Sequence, residues 1–115
     1  MNLPFQIELQ PPVAIISISG KILTQEDTHD IMEEIGNAEK SVQSIVMDVS
    51  ELSYCSSAGL GFFVRCLTRT KIAGGKFVIC GINGNVEKLF AISKLNEIFT
   101  FCPDKESGLN FINAN

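Results

Sequence analysis

Two adjacent serines, Ser56 and Ser57, lie where an apolar extended segment is followed by a helical pattern. Residues 45–49 are continuously apolar apart from one acid, which is typical of a buried strand, and residues 60–72 have apolar side chains at helical spacing. A serine at this junction lies at a helix N-terminus, where backbone N–H groups lack partners and the helix dipole favours negative charge. The sequence therefore leaves two roles open: a serine that caps the helix, or a serine that carries a phosphate.

Few side chains in the sequence are suited to catalysis. The serine segment, residues 55–59, lacks the first glycine of a G-x-S-x-G nucleophile elbow, and the single histidine, His29, is predicted on an exposed helix face. Asp48 and Glu51 precede the serines, but the pattern places Asp48 at a strand end and Glu51 in solvent. We therefore predict no catalytic residue and no enzymatic activity.

The four cysteines do not form a pattern that binds a metal. They lie at positions 55, 66, 80 and 102 without a C-x-x-C pair, and one histidine offers no companion ligand. We predict no metal site and no cofactor. Cys66 and Cys80 lie within apolar patterns and are expected to be buried free thiols, which suits a reducing compartment.

Length and composition predict one domain over residues 1–115, with enough apolar side chains for a core, since 45% of the residues are hydrophobic and 19% are charged. The net charge of −4 argues against nucleic acid as a partner. The apolar runs are too short to span a membrane, and the N-terminal residues do not resemble a signal peptide. We expect a cytoplasmic protein without direct membrane insertion.

The pattern along the chain predicts the element order β-β-α-β-α-β-α-β-α, with helix-linked strands that are largely parallel. Pro11-Pro12 is expected to join the first two strands as a hairpin at one edge of the sheet. The predicted strands cover residues 5–9, 13–19, 45–49, 77–81 and 98–102.

Each predicted helix has an apolar face. The first begins at Thr24, with Asp27 in a capping-box position, and its buried face comprises Ile31, Met32, Ile35 and Ala38. The second ends at Gly74-Gly75, and its buried face comprises Leu60, Phe63, Val64 and Leu67. A third helix covers residues 86–94, and the tail, residues 104–112, is expected to dock Leu109 and Ile112 and to be broken at Gly108.

Four segments together resemble the STAS domain of bacterial anti-sigma factor antagonists. Ser-Ser-Ala-Gly-Leu at residues 56–60 resembles the family signature, and residues 19–22, 74–80 and 86–95 resemble its first strand-to-helix turn, its glycine pair with the next strand, and its third helix. The segments occur in the family's order with family-like spacing, so the resemblance extends over nearly the whole chain. The resemblance implies an α/β STAS fold, with a mixed, mostly parallel sheet of four or five strands and about four helices in a single domain.

The resemblance also implies a phosphorylation switch. Ser57 matches the serine that a GHKL-type protein kinase phosphorylates, with Ser56 as the alternative site. In the family that kinase is the anti-sigma factor, the unphosphorylated domain binds it and releases a sigma factor, and a phosphatase resets the switch. A non-switching subunit of an ABC-type lipid transporter, or a signalling scaffold, is the alternative function.

The predicted partner surface surrounds the serines. It comprises Leu23, Thr24, Ser56, Ser57, Ala58, Gly59, Leu60 and Phe62. Phe62 lies beside the serines but off the strict apolar stripe of its helix, so two roles are open for it: an exposed interface anchor, or part of a broad core face.

Overall fold

The computed structural model describes residues 3–38 and 40–114. The described chain forms five strands and four α-helices in the predicted order. The strands are β1 (Phe5–Gln10), β2 (Val13–Ile22), β3 (Ser44–Cys55), β4 (Phe77–Cys80) and β5 (Thr100–Cys102). The helices are α1 (His29–Asn37), α2 (Ser57–Ile72), α3 (Gly84–Ile92) and α4 (Lys105–Asn113), with short 3-10 turns at Gln25–Thr28 and Leu95–Glu97.

The five strands form one sheet in sequential order, β1-β2-β3-β4-β5. β1 is antiparallel to β2, and the other neighbours are parallel, so the predicted edge hairpin and the mostly parallel sheet are confirmed. Three successive helical crossovers link β2 to β5 without a reversal of strand order. Because such crossovers are right-handed, α1, α2 and α3 all cover the same face of the sheet.

Both faces of the central strands are buried, and alternate residues point into two separate apolar clusters. On the face covered by three helices, Ile45 and Met47 of β3 pack with Phe63 and Phe90. The opposite face carries a smaller cluster, which α4 covers with two half-buried side chains, Leu109 and Ile112. The predicted docking of the C-terminal segment is therefore confirmed.

Two strands extend further than the sequence pattern predicts. β2 continues through Gly20 to Ile22, and β3 continues from Val49 to Cys55. These extensions pair with each other, with Ile22 opposite Cys55, and register shifts interrupt the ladder. The residues involved are largely polar, and their pairing comes from the neighbouring strand and not from local propensity, which is the reason that the predicted strands end at residues 19 and 49.

Two predicted helix details are corrected by the structure. Thr24 is an N-cap, but the helix that follows begins as the 3-10 turn Gln25–Thr28 before it becomes α-helical at His29. Gly108 does not break the C-terminal helix, because it lies within α4 and is buried against β4. A glycine at this position lets the helix approach the sheet closely.

The predicted buried thiols are confirmed. Cys66 and Cys80 are fully buried and free, and Cys55 is also buried. Burial raises the pKa of Cys55 to about 11 and the pKa values of Cys66 and Cys80 to about 12, because a thiolate is poorly solvated in the core.

Replacement of Gly108 by alanine tests the close approach of α4. A Cβ atom at this position would lie 2.6 Å from Cys80 Sγ and 3.1 Å from Val46 Cγ1. Overpacking costs about 1–3 kcal/mol, against a gain of about 1 kcal/mol in helix propensity, so we expect Gly108→Ala to lower the free energy of unfolding by up to about 2 kcal/mol. Urea denaturation followed by circular dichroism measures the change.

Gly36→Ala in α1 is the matched control. Among the described residues outside its own helix, its Cβ atom would meet Arg69 Nη1 first, at 3.9 Å, so the same substitution should keep or increase stability. A Gly108→Ala protein as stable as Gly36→Ala would contradict the packing described for α4.

Candidate functional site

The predicted serine junction lies where β3 leads directly into α2. Ser56 is the N-cap of α2, with an extended backbone and a side chain that accepts a hydrogen bond from the Gly59 N–H at 3.3 Å. This contact satisfies one of the unpaired donors at the start of the helix. The capping role therefore belongs to Ser56.

Ser56 also connects α2 to the neighbouring strand. Its N–H donates to the Ile22 carbonyl at 2.9 Å, and its hydroxyl donates to the Leu23 carbonyl at 2.9 Å. The hydroxyl thus acts as donor and acceptor at once. A half-buried group with both functions in use is held in one position.

Gly59 allows the first turn of α2 to approach the ends of β2 and β3. A Cβ atom at this position would lie 2.7 Å from Ile22 Cγ2 and 2.7 Å from Cys55 Sγ. Both distances are far shorter than a van der Waals contact. Any larger residue would push α2 away from the sheet and would break the contacts of Ser56.

The turn that faces the junction is held by Asp27. Its carboxylate accepts hydrogen bonds from the Leu23 N–H at 2.8 Å and the Thr24 N–H at 3.0 Å, so the predicted capping box is present. These two backbone donors lower the pKa of Asp27, because they stabilise its charged form. Asp27 thereby fixes the turn whose Leu23 carbonyl receives the Ser56 hydroxyl.

Ser57 occupies a different environment from Ser56. It is the first residue of α2, and both it and Ala58 are exposed. Residues 57–60 contain no acidic side chain, so the positive end of the helix dipole is not neutralised within this turn. The site can therefore accept a negative charge at Ser57 without disturbing the contacts that hold the helix.

The predicted partner surface divides into exposed and buried residues. Leu23 is 56% exposed, and Thr24 is also at the surface, next to the serines. Gly59 and Leu60 are buried, the latter with 8% exposure, so they support the surface but contribute little of it.

Phe62 is fully buried, and its predicted role as an exposed interface anchor is wrong. It packs edge-to-face against Phe63 with ring centroids 5.2 Å apart, and Phe63 packs in the same way on Phe90 at 5.3 Å. The apolar face of α2 is therefore wider than a strict stripe, because the helix lies across a sheet and a third helix packs beside it. The alternative of a broad core face is the correct one.

Tyr54 is a surface residue that the sequence pattern did not identify. It is 40% exposed and lines a shallow recess with Leu23, Lys21, Ser53 and Asn85. Because the pattern predicts a strand that ends at Val49, it assigns no face to Tyr54. An aromatic residue two positions before the serine pair is the signal that could have drawn attention to it.

The other polar side chains considered from the sequence do not join this site. His29 is exposed on α1 and lies 3.7 Å from Glu33. Asp48 lies within β3, where it accepts the Ser50 N–H at 2.9 Å and lies 3.9 Å from Lys105 Nζ. Within residues 3–38 and 40–114, no cluster of three His, Cys, Asp or Glu side chains is arranged to hold a metal, and no helix is long and apolar enough to cross a membrane.

The serine junction, the glycine behind it and the facing turn all lie within one matched region. A family model of the STAS domain matches residues 4–108. The chain belongs to the STAS domain family.

Two curated relatives support this assignment at low identity. The STAS chain is 25% identical over 112 residues to an anti-sigma F factor antagonist of Paenibacillus polymyxa, a match that covers 95% of this chain and 94% of the relative. It is 28% identical over 75 residues to BtrV of Bordetella bronchiseptica, which is named as a candidate anti-sigma factor antagonist. That match covers 65% of each protein.

The fold is also that of SpoIIAA, a Bacillus cell fate determinant and anti-sigma factor antagonist whose structure is known in two forms. The phosphorylated form has a TM-score of 0.75 at 18% identity and covers 96% of this chain and 100% of its own. The unphosphorylated form has a TM-score of 0.72 at 17% identity and covers 92% and 94%. Both forms therefore share the architecture described above.

The two serines should differ in their contribution to stability. We expect Ser56→Ala to lower the free energy of unfolding by about 1–2 kcal/mol, because it removes the helix cap and the bond to the Leu23 carbonyl. Ser57→Ala should change it by less than about 0.5 kcal/mol, since the Ser57 side chain is exposed. Equal losses in urea denaturation would contradict the separate roles assigned here.

A pH titration followed by nuclear magnetic resonance should detect the hydrogen bonds that the Asp27 carboxylate accepts from Leu23 and Thr24. The pKa of Asp27 is lowered in the folded state, so its contacts are fully present above 3.8, its ordinary value, and are lost as the pH falls further. We expect the amide proton shifts of Leu23 and Thr24 to titrate together with a midpoint below 3.8. Asp27→Asn should abolish this titration, and its persistence in that variant would show that another group causes it.

Proposed function

We propose that this STAS domain is a cytoplasmic, phosphorylation-switched antagonist of an anti-sigma factor. The unmodified form binds an anti-sigma factor that is also a GHKL-type serine kinase, and this binding releases a sigma factor. The kinase phosphorylates Ser57 and thereby ends the complex, and a phosphatase restores it. The chain itself is not an enzyme in this scheme. The similarity of this chain to anti-sigma factor antagonists of other bacteria supports the antagonist role.

The observation that carries this proposal is the contrast between the two serine hydroxyls. Ser56 is half-buried and uses its hydroxyl in two hydrogen bonds that hold the junction together. Ser57 is exposed at the first position of α2, where a kinase can reach it. Of the two sites considered from the sequence, this favours Ser57 as the phosphorylated residue and makes Ser56 the structural one.

A phosphate at Ser57 is compatible with the fold. It adds about −1.5 to −2 charges and three acceptor oxygens, at a helix end where backbone donors and the dipole favour anions. The likeness of this chain to both forms of SpoIIAA agrees with a modification that leaves the architecture unchanged. The switch then acts on the partner interface and not on the stability of the domain.

The surface around Ser57 suggests why a phosphate opposes binding. Leu23 and Tyr54 are exposed apolar side chains that line one recess beside the junction. If the partner covers them, Ser57 is brought into a region from which water is excluded. A phosphate there would have to lose hydration, and each 1.4 kcal/mol of that cost weakens binding about tenfold.

The test is a quantitative pull-down from native lysate with three bait variants, read by mass spectrometry. Ser57→Ala should retain the kinase, and Ser57→Asp should bind it at least about tenfold more weakly because the added charge lies in the interface. Ser41→Asp is the matched control, since it adds the same charge at an exposed serine in the segment before β3. In a kinase assay, phosphate should appear on wild-type Ser57 and not on the Ser57→Ala protein.

Capture of a transporter ATPase in equal amounts by Ser57→Ala and Ser57→Asp would contradict the proposal. Such a result would assign the domain to the fixed-subunit role. Phosphate transfer to Ser56 in place of Ser57 would contradict the site assignment while leaving the antagonist role intact.

A further inference from the structure

A groove between α1 and α2 lies apart from the serine junction. It has a volume of about 430 Å³ and runs along the C-terminal half of α2, where the first residues of β3 form its floor. We call it the α1–α2 groove. It is lined by Met32, Ile35, Val42, Gln43, Ile45, Val64, Arg65, Thr68, Arg69, Thr70, Ile72 and Ala73.

The walls of the α1–α2 groove are mainly apolar. Met32 and Ile35 line it from α1, Val64 lines it from α2, and Ala73 lines it from the C-cap position of α2. At the end of α2, Ile72 is 83% exposed, which leaves a large apolar side chain in water. Ligand sites are commonly apolar clefts of about 300–1,000 Å³ with a few polar groups that fix orientation.

Arg65 supplies a cationic group at the opposite end. Its side chain is half-buried, and within the described residues its hydrogen bonding consists of one long contact, from Nη2 to Thr28 Oγ1 at 3.5 Å. Thr28 is itself buried and donates its hydroxyl to the Gln25 carbonyl at 2.8 Å. A guanidinium has five N–H donors, so most of those on Arg65 remain available in a partly desolvated place.

A second guanidinium and one acidic side chain lie near Arg65 in the described part of the chain. Arg69 lies one turn after Arg65, and its Nη1 would be 3.9 Å from a Cβ atom placed on Gly36, so it reaches across the groove to α1. Glu26 lines the adjoining recess near Arg65, but no ion pair joins these two residues in the described chain. The positive charge of Arg65 is therefore not neutralised by Glu26.

We infer that the α1–α2 groove binds a medium-chain aliphatic carboxylate, with its head on Arg65 and its tail directed toward Ile72. The planar guanidinium matches a carboxylate in a two-bond geometry, and the apolar walls match an unbranched chain. Ile72 follows Arg65 by seven positions in α2, which places the head and the tail of the ligand about 10 Å apart along the helix axis. A partner helix is about 10–12 Å in diameter, so the small groove suits a short chain better than a helix.

Nuclear magnetic resonance titration of the full chain with octanoate tests this inference. We expect saturable shifts for residues that line the groove, and Arg65→Met should weaken binding roughly tenfold because it removes the paired charge but keeps an apolar stem. Lys71→Met is the matched control: it removes a charge from the same helix at an exposed position outside the groove and should leave octanoate binding unchanged. Thr68→Phe should also weaken binding, because its ring would occupy the groove from an exposed position.

Three outcomes would overturn the inference. The first is the absence of saturable shifts in the groove, and the second is equal affinity for octanoate and 1-octanol, which has the same tail without the charge. The third is a groove whose resonances do not shift with octanoate but shift saturably with an acidic amphipathic peptide of leucine and glutamate. That result would indicate a protein docking site.

This inference goes beyond the proposed function and does not depend on it. The groove residues do not include Ser57, so Ser57→Asp should bind octanoate with unchanged affinity. If the pull-down contradicts the phosphorylation switch, the conclusion from the octanoate titration is unaffected. If octanoate does not bind, the conclusion from the pull-down is likewise unaffected.

Discussion

The hydroxyl of Ser56 is the contact on which the candidate site depends. It joins the turn after β2 to the junction of β3 and α2, 33 residues later in the chain, because it donates to the Leu23 carbonyl and accepts from the Gly59 N–H. Each bond alone contributes only about 1 kcal/mol. Together they set the direction in which α2 leaves the sheet, and this direction exposes Ser57 while it buries Phe62.

This arrangement requires a small residue behind the serine as well as the serine itself. Because Gly59 has no side chain, the side chains of Ile22 and Cys55 can pack directly against its backbone. These two residues are paired in neighbouring parallel strands. Because parallel strands end at the same edge of a sheet, the start of α2 and the turn after β2 are necessarily close. The topology thus brings Leu23 beside Ser57, and Asp27 holds the turn in place through two backbone N–H groups.

The sequence was sufficient to predict elements whose signals are local. The order of elements, the hairpin at Pro11-Pro12 and the capping residues near Thr24 and Ser56 follow from propensity and turn chemistry. Features that depend on a neighbouring element were either not predicted or left open between two alternatives. The extension of β3 to Cys55 requires the partner ladder of β2, and the burial of Phe62 requires knowing that Phe63 and Phe90 pack beside it. The apolar periodicity of the sequence indicates the direction of one face of a helix, whereas the packing of neighbouring elements determines how wide the buried face is.

Ser57 and Arg65 lie on the same helix, but Ser57 belongs to the serine junction and Arg65 to the α1–α2 groove. Eight residues of α-helix place them about 12 Å apart along the axis. This exceeds the Debye length of about 8 Å at physiological ionic strength, so salt weakens the attraction between a phosphate on the exposed Ser57 and the half-buried guanidinium. A ligand in the groove would couple to the phosphorylation state only if it contacted the two states differently. In the two proposals α2 therefore carries both sites, with the phosphorylated serine at its start and the apolar groove along its second half.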